Sequence, residues 1–590
     1  TNGHAGTDHQ RRVEISVTAA KPNRVYALLS GSANGGSGLY GVYVSDDAGL
    51  TWSHKCCGAG PGGAAIAAPG GVTTPATNAN MLGYSETGGD EGGQYYYDLA
   101  MDADPNNGDK VHIAGICHWY SVDGGNTFRL TAKWSWPDDP KYIHADIHGI
   151  HIYGNEVWVN CDGGIYLSTD SGKTSFNKRQ YGIAGTTFWG FGMGHKDGEV
   201  MIGGTYHNSH LLKNNNVYLG GWTSYTGSAD GTRGFVNPGK PKEVYNDSRR
   251  DILPANRLTT PTALTLSKLP NKSDPTSKIA WDPRCYNCIY TGTGTDLWYS
   301  EDDGVNWTLV KSFAPQQVGD IEIGWDDPNV IWVTTSQSLY ITPKQMWKSV
   351  DKGVTWVNMT PSSATLGYNP GMYFDVTLGT SSQDVWFITS HLYGWYVENT
   401  HKVFYSSNGG TTWTDWTTPL IATESINDIF YQRGTNGGVY IGTRRSCFYR
   451  NKSMSNWVQY DNGLPPVIQC TRILPWYKEA KLRYASNRSV WESPFYEPGV
   501  PHAQPMVDKL KTICQRDTFY FADYSAHYKS GATFAWSISP SPTYSNSLSL
   551  ENPKVVFGTP GIYTVGITVT DSLGTSSKNL IGNIEVIANC

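Results

Sequence analysis

An eight-residue pattern, Ser-x-Asp-x-Gly-x-Thr-aromatic, recurs along this chain and restricts what it can fold into. It stands at residues 45–52 (Ser45, Asp47, Gly49, Trp52) and 121–128 (Ser121, Asp123, Gly125, Phe128). It returns at 300–307 (Ser300, Asp302, Gly304, Trp307) and 349–356 (Ser349, Asp351, Gly353, Trp356). A form with Asn for Asp occupies 406–413 (Ser406, Asn408, Gly410, Trp413). Ser168, Asp170, Gly172 and Thr174 keep the pattern but displace the aromatic by one, to Phe176, and Asn456-Trp457 reads as the remnant of a seventh copy. An Asp or Asn bonds backbone N–H groups just ahead of it and closes a tight turn, and Gly supplies positive φ. The Thr hydroxyl ties back to the carboxylate, and the ring is expected to bury between neighbouring sheets. Each copy is a hairpin staple, and every box aspartate is read as structural.

Upstream of most boxes lies a second repeat: an apolar strand, a turn like Asp-Pro-Asn, then another strand. Examples are Ala20–Tyr26, Asp104–His112, Trp281–Tyr290 and Trp325–Trp332. Strand, turn, strand, strand, box and strand make one four-stranded propeller blade, with a spacing of about 45–50 residues. With box-less units near 183–225 and 230–268, the count is about ten blades over residues 12–494, within a range of eight to ten. The fold class read from the chain is all-β: a large single β-propeller followed by a small β-sandwich.

The repeat resembles the Asp-box (BNR repeat) of sialidases, sortilin-type receptors and xyloglucan-degrading propeller hydrolases. A ten-blade count is similar to the sortilin-type propeller. Leu482–Ser493, Gly434–Gly442 and Phe448–Trp457 resemble the closing blades of sortilin-like propellers secreted by Bacteroidetes. That resemblance implies fold and export by the type IX secretion route, hence a secreted or cell-surface location. It assigns no activity.

Composition agrees with many short strands: Gly (66), Trp (22) and Tyr (37) are abundant while charged residues are 16%. A net charge of −6 without a long Lys/Arg run argues against nucleic-acid binding. No apolar stretch reaches the ~18 residues of a membrane span. The chain begins at Thr1 without a signal-like segment, which is read as a processed or truncated start. Among ten cysteines, Cys285 and Cys288 are expected to form a short disulfide. The neighbours Cys56 and Cys57 are expected to pair elsewhere or stay free.

After Pro494, the Pro-rich stretch 495–507 reads as a linker between a propeller at 1–494 and a domain at 508–590. Asn552–Phe557 and Pro560–Asp571 resemble the PKD-type immunoglobulin-like domain, although Ala535–Pro540 replaces that family's usual central loop. Trp536 is the expected core tryptophan, and Cys514 and Cys590 sit near the domain's two ends, placed to pair. Such domains act as spacers, so a sorting or anchoring module is expected downstream.

For chemistry, the leading cluster is His144, Asp146 and His148. In a strand these share one face, as metal ligands would need, or as a His-Asp-His hydrogen-bonded ladder would. The resemblance places this segment on an innermost strand. The ladder is the expectation, with no metal and no cofactor beyond an optional structural calcium. A glycosidase needs two carboxylates about 5–10 Å apart. Asp90, Glu91, Asp98 and Asp146 are available, but no motif singles out a catalytic residue. A sialidase-like triad would draw on Arg11, Arg12, Arg233, Arg249, Arg250, Arg444 and Arg445, whose spacing does not argue for one. Tyr95, Tyr96 and Tyr97 are the best candidates for an exposed aromatic platform; Trp119-Tyr120, Trp134–Trp136 and Tyr393–Tyr396 are read mainly as core. Asn306 and Asn358 open glycosylation sequons that matter only in a glycosylating host.

These features favour a non-enzymatic binding or structural protein, a propeller head on a spacer for adhesion or extracellular assembly. Its expected partners are a polysaccharide or surface protein, with self-assembly through the domain or propeller rim. The first alternative is a polysaccharide-active glycoside hydrolase resembling the xyloglucan-degrading propellers. The second is sortilin-like peptide capture in the channel.

Overall fold

The computed structural model describes residues 10–588 except 32–37, 58–79, 91, 136, 207, 215–220, 227–230, 232, 247–249, 254–261, 265–278, 337–344, 363–372, 391–400 and 513–515. The chain is all-β, a β-propeller followed by a small β-sandwich, in two compact units, residues 1–183 and 184–590. Among the described residues no helix is long and apolar enough to cross a membrane.

The first unit holds three four-stranded antiparallel sheets in chain order: blade 1 (10–56), blade 2 (100–132) and blade 3 (147–178). Alternate residues of each strand point to opposite faces, so neighbouring blades bury apolar side chains against one another. Tyr26, Leu28 and Val42 of blade 1 meet Met101, Ile113 and Phe128 of blade 2. Ala114 and Ala132 then meet Ile147, Ile150 and Val159 of blade 3. The innermost strands are also tied by side chains. Asp102 accepts from the Ser16 hydroxyl at 3.2 Å and from the Ile152 N–H at 2.9 Å, joining three strands.

The second unit carries blades 4 to 10 at 188–226, 234–264, 280–312, 317–358, 373–415, 426–459 and 470–494, the last with three strands. Each neighbouring pair shares an apolar core, such as Val330 and Trp332 of blade 7 against Val376 and Phe387 of blade 8. The seventh shared core closes the circle. Ala485 and Leu474 of blade 10 pack on Phe188, Phe191 and Met201 of blade 4, and Ser489 N–H donates to the Thr186 carbonyl at 2.7 Å. The expected count of about ten blades corresponds to these ten sheets, of which seven form a ring by themselves.

The boxes sit between the third and fourth strands of their blades. In each, the Ser hydroxyl donates to the Asp or Asn oxygen and accepts the Gly N–H, as at Ser45 (2.7 and 2.8 Å). Thr51 and Thr127 donate their hydroxyls back to Asp47 and Asp123 at 2.6 and 2.7 Å. The residue before the Gly is also left-handed, as at Ala48 (φ 58°), Ser171 (63°) and Lys352 (61°). Its N–H donates to a carbonyl in, or just after, the turn joining the first two strands of the same blade: Ala48 to Asn23, Ser171 to Asn155, Lys352 to Asn329. The two sequence repeats are therefore halves of one staple. Lys452 makes the same bond to Asn436, which identifies the seventh remnant structurally. Phe128 is fully buried, but Trp52 is 41% exposed, because a first-blade indole at the unit's edge has fewer neighbours to cover it.

Behind the ring, residues 505–586 form two sheets. One joins Lys511–Thr512, Gly574–Val586, Gly561–Asp571 and Thr533–Ser539, and the other joins Pro505–Val507, Thr518–Asp523, Lys554–Val556 and Tyr544–Ser545. Trp536, Tyr563, Val555 and Ile567 fill the core between them. The segment expected as a linker is bonded along its length. Phe495 N–H donates to Ala480, Tyr496 N–H to the Tyr440 hydroxyl, and Val500 N–H to Gly434. Val507 N–H donates to the Arg284 carbonyl, and Pro505–Val507 continues the sheet of blade 6 into the sandwich.

Cys285 and Cys288 form the expected disulfide. Cys56 and Cys57 are bonded to each other, contrary to expectation; the left-handed backbone at Cys57 (φ 67°) turns the two neighbouring side chains together. Cys117, Cys161, Cys447 and Cys470 are buried free thiols. Cys514 and Cys590 lie outside the described residues.

Candidate functional site

The expected His-Asp-His face does not form. The strand Ile147–Tyr153 starts after Asp146, and Asp146 itself is left-handed (φ 64°), which breaks the alternation that would align His144 with His148. His144 Nδ1 lies 3.2 Å from its neighbour's carbonyl, on Ala145. Among the described residues no group of three or more His, Cys, Asp or Glu is placed to hold a metal ion.

Instead, the first unit gathers Asp98, Asp146, His148 and Asp162 with the loop Gln94–Tyr97. His148 Nε2 lies 2.7 Å from Asp162 Oδ1, and the Tyr97 hydroxyl donates to both Asp162 oxygens at 2.9 Å. The Tyr97 and His148 rings meet edge to face at 4.7 Å. Gln94 Nε2 donates to Asp146 at 3.0 Å. Arg12 braces the loop from blade 1, its Nη1 donating to the carbonyls of Tyr95 (3.3 Å) and Tyr97 (3.4 Å). This is the work of one of the seven candidate arginines.

The same cluster separates its carboxylates electrostatically. Asp98 is 1% exposed, and neither oxygen has a hydrogen-bond partner among the described residues. Burial first, and then the nearby Asp146, push its carboxyl up to about 7. Burial also raises Asp146. Asp162 is lowered: its hydrogen bonds from His148 and Tyr97 outweigh the cost of burial. His148 rises in turn, mainly through its hydrogen bond to Asp162.

Above these groups the aromatic side chains are exposed: Tyr96 at 71%, Tyr84 at 50%, and Tyr97 and Trp134 less so. Trp134 Nε1 donates to the Tyr84 carbonyl at 3.2 Å, and the Tyr95 and Tyr96 rings meet edge to face at 5.7 Å. Of the other candidates, Asp90 is structural, accepting from the N–H groups of Tyr84 and Ser85. Trp119 is core, and Arg250 is paired with the buried Asp303. Glu91, Trp136, Tyr393–Tyr396, Arg249 and the side chain of Arg11 lie outside the described residues. Asp162, Gln94 and Tyr84 were missed by sequence reasoning. Each stands in a loop without a motif, and only the return of blade 3 brings Asp162 to His148.

The ring of blades 4 to 10 contains a second polar site. A cavity of about 350 Å³ is lined by Trp189, Arg233, Asp320, Asp375, Asp428 and Arg472, among others. Asp320, Asp375 and Asp428 occupy the innermost strands of three successive blades. Asp428 accepts from Arg472 Nη1 at 2.9 Å and from the Ile473 N–H at 2.6 Å. Burial, then the neighbouring Asp320 and Asp428, hold the Asp375 carboxyl well above the usual range.

No family model matches the chain, and no curated protein matches it. Among solved structures, the chain is similar to a GH74 enzyme of Niastella koreensis (16% identity, 82% of this chain and 67% of that one, TM-score 0.48). It is also similar to the extracellular domain of a putative hybrid two-component system of B. thetaiotaomicron (10% identity, 98% and 76%, TM-score 0.39). A third likeness is YCF48 of Cyanidioschyzon merolae (10% identity, 52% and 95%, TM-score 0.38). At these scores neither an activity nor a ligand passes from them to this chain.

Proposed function

We propose that this protein acts by binding rather than turnover, as a secreted or cell-surface Asp-box propeller head carried on a PKD-type domain in adhesion or an extracellular assembly. The observation that carries the reading is the arrangement of the first-unit site. Its accessible groups are aromatic rings with polar tips, while its carboxylates are engaged or covered. Asp162 and Asp146 spend oxygens on Tyr97, His148 and Gln94. The raised carboxyl, Asp98, is covered by protein rather than open to solvent. Flat, half-exposed rings of this kind stack on sugars or anchor a protein surface.

Binding is tested by affinity electrophoresis of the whole chain in a panel of soluble polysaccharides, with released reducing ends assayed in parallel. Retardation by at least one polysaccharide without reducing ends is expected, weakened about tenfold by Tyr96→Ala combined with Tyr97→Ala. A glycoside hydrolase is the second reading, favoured by the split between a raised Asp98 and a lowered Asp162. Reducing ends that vanish in Asp98→Asn would establish it and overturn the first.

A further inference from the structure

The channel of blades 4 to 10 is closed at one end by the protein's own sandwich. Below the polar cavity lies a smaller one of about 210 Å³, walled by Met193, Val236, Ile321, Ile323 and Leu474 and ending on Trp325 and Tyr524. Tyr524 belongs to the sandwich. Its ring lies 4.7 Å from that of Trp325 and 4.6 Å from that of His195, and the Arg433 guanidinium covers the Trp325 ring at 3.5 Å. Lys578, also from the sandwich, donates to the Trp325 carbonyl. A chain threading the ring would meet this stop. A ligand therefore enters beside Trp189, which is 45% exposed and lies 4.9 Å from the Tyr206 ring, and only its end reaches the polar cavity.

The lining selects the chemistry of that end. Three carboxylates face two guanidiniums, and burial beside Asp320 raises the Asp375 carboxyl, so groups of both signs line the cavity and neither dominates it. A cationic ligand meets Arg233 and Arg472, and an anionic one meets the aspartates. A neutral ligand rich in hydroxyl groups is opposed by neither. It finds hydrogen-bonding groups in Asp320, Asp375 and the Thr471 hydroxyl, which has no partner among the described residues, and a stacking face in the exposed indole at the entrance. Planar carboxylate and guanidinium groups pair with vicinal hydroxyls, while indole stacks on the apolar face of a sugar ring. The volume lies near the lower end of the ~300–1,000 Å³ that ligand pockets span, which suits a terminal unit rather than a long segment.

We infer that the channel of the second unit is a blind pocket that binds the terminal sugar of a neutral glycan, with Trp189 as platform and Asp320, Asp375 and Arg472 as the polar wall. This pocket is separate from the aromatic site of the first unit and does not depend on the reading given for it. The test is titration calorimetry of the full chain with neutral gluco-, xylo-, manno- and galacto-oligosaccharides, alongside inorganic phosphate and free lysine as charged probes. At least one neutral oligosaccharide is expected to bind, while phosphate and lysine do not. Trp189→Ala should weaken it about tenfold, Trp189→Phe should largely restore it, and Tyr96→Ala should leave it unchanged. Circular dichroism and an unchanged melting temperature confirm that the variants are folded. Asp320→Asn supplies a second variant at constant shape and should also weaken binding. The inference is overturned if no neutral oligosaccharide binds, if a charged probe binds instead, or if binding survives Trp189→Ala but is lost in Tyr96→Ala.

Discussion

Asp98 and Asp162 carry the same side chain within one cluster, and their surroundings push them in opposite directions. Asp98 is buried without a partner among the described residues, so its folded form holds to higher pH a proton that the unfolded chain releases near pH 4. Between about pH 4 and its folded value of about 7, the native state binds more protons, and stability falls as pH rises through that window. Asp98→Asn is therefore expected to stabilise the protein by about 2–4 kcal/mol at pH 8 and hardly at all at pH 4; thermal melts at the two values check this. In the pair of His148 and Asp162 the two groups run in opposite directions with pH, and only Asp162 opposes the trend of Asp98. The raised His148 is fully stabilising below ~6.5 and loses that as pH rises through the folded value. The lowered Asp162 contributes above ~4 and loses that as pH falls. Asp162→Asn should bring the imidazole titration of His148, followed by NMR, down towards its ordinary position.

At the scale of the element, the box works as a staple with two separable parts. The polar part is the Asp and its hydrogen bonds. Asp302 accepts from Ser300, from the Asn306 backbone and from the Asn306 side chain. Asp302→Ala should cost about 1–2 kcal/mol, read as a shift in the urea midpoint. The apolar part is the closing ring, whose worth follows its burial. Phe128→Ala should cost about 3–5 kcal/mol, whereas Trp52→Ala should cost much less, because its ring is already partly in water. Blades are joined by another device: an innermost-strand Asp that accepts an N–H from the next blade, as Asp102 does from Ile152 and Asp428 from Ile473. Asp428→Ala leaves the half-buried Arg472 without this partner and should cost about 1–3 kcal/mol in the same assay.

For the second unit as a whole, the sandwich behaves as a foot rather than a swinging spacer. Gln504 Nε2 donates to the Pro283 carbonyl at 2.8 Å, Lys578 reaches Gln504 at 2.6 Å, and burial holds the Lys578 ammonium down to about 8. Asp523 and His527 are both buried, 2.8 Å apart, behind the Tyr524 contact. Cutting the chain after Pro494 removes this cover and exposes Trp325 and Arg433. Calorimetry should then show a lower melting temperature for the ring, and the intact protein should give no separate low-temperature transition for the sandwich. A sandwich that melts independently would show that the two are not coupled.

The periodic parts of this molecule were legible in its residues. Boxes and Asx-Pro turns repeat because each hairpin closes within a few residues, so spacing alone reported all-β blades, the box-less ones near 183–225 and 230–268, and the alternating strands after residue 508. What depends on contacts distant in sequence was not. Which sheet closes on which is decided where Ala485 meets Phe188. The pairing of Cys56 with Cys57 follows from one left-handed residue, and the same conformation at Asp146 dissolved the His144, Asp146 and His148 face. Asp162 and the channel aspartates carry no motif, because nothing local distinguishes them. They become a site only when separate blades bring them to one point, where hydrogen bonds lower Asp162 and burial raises Asp375.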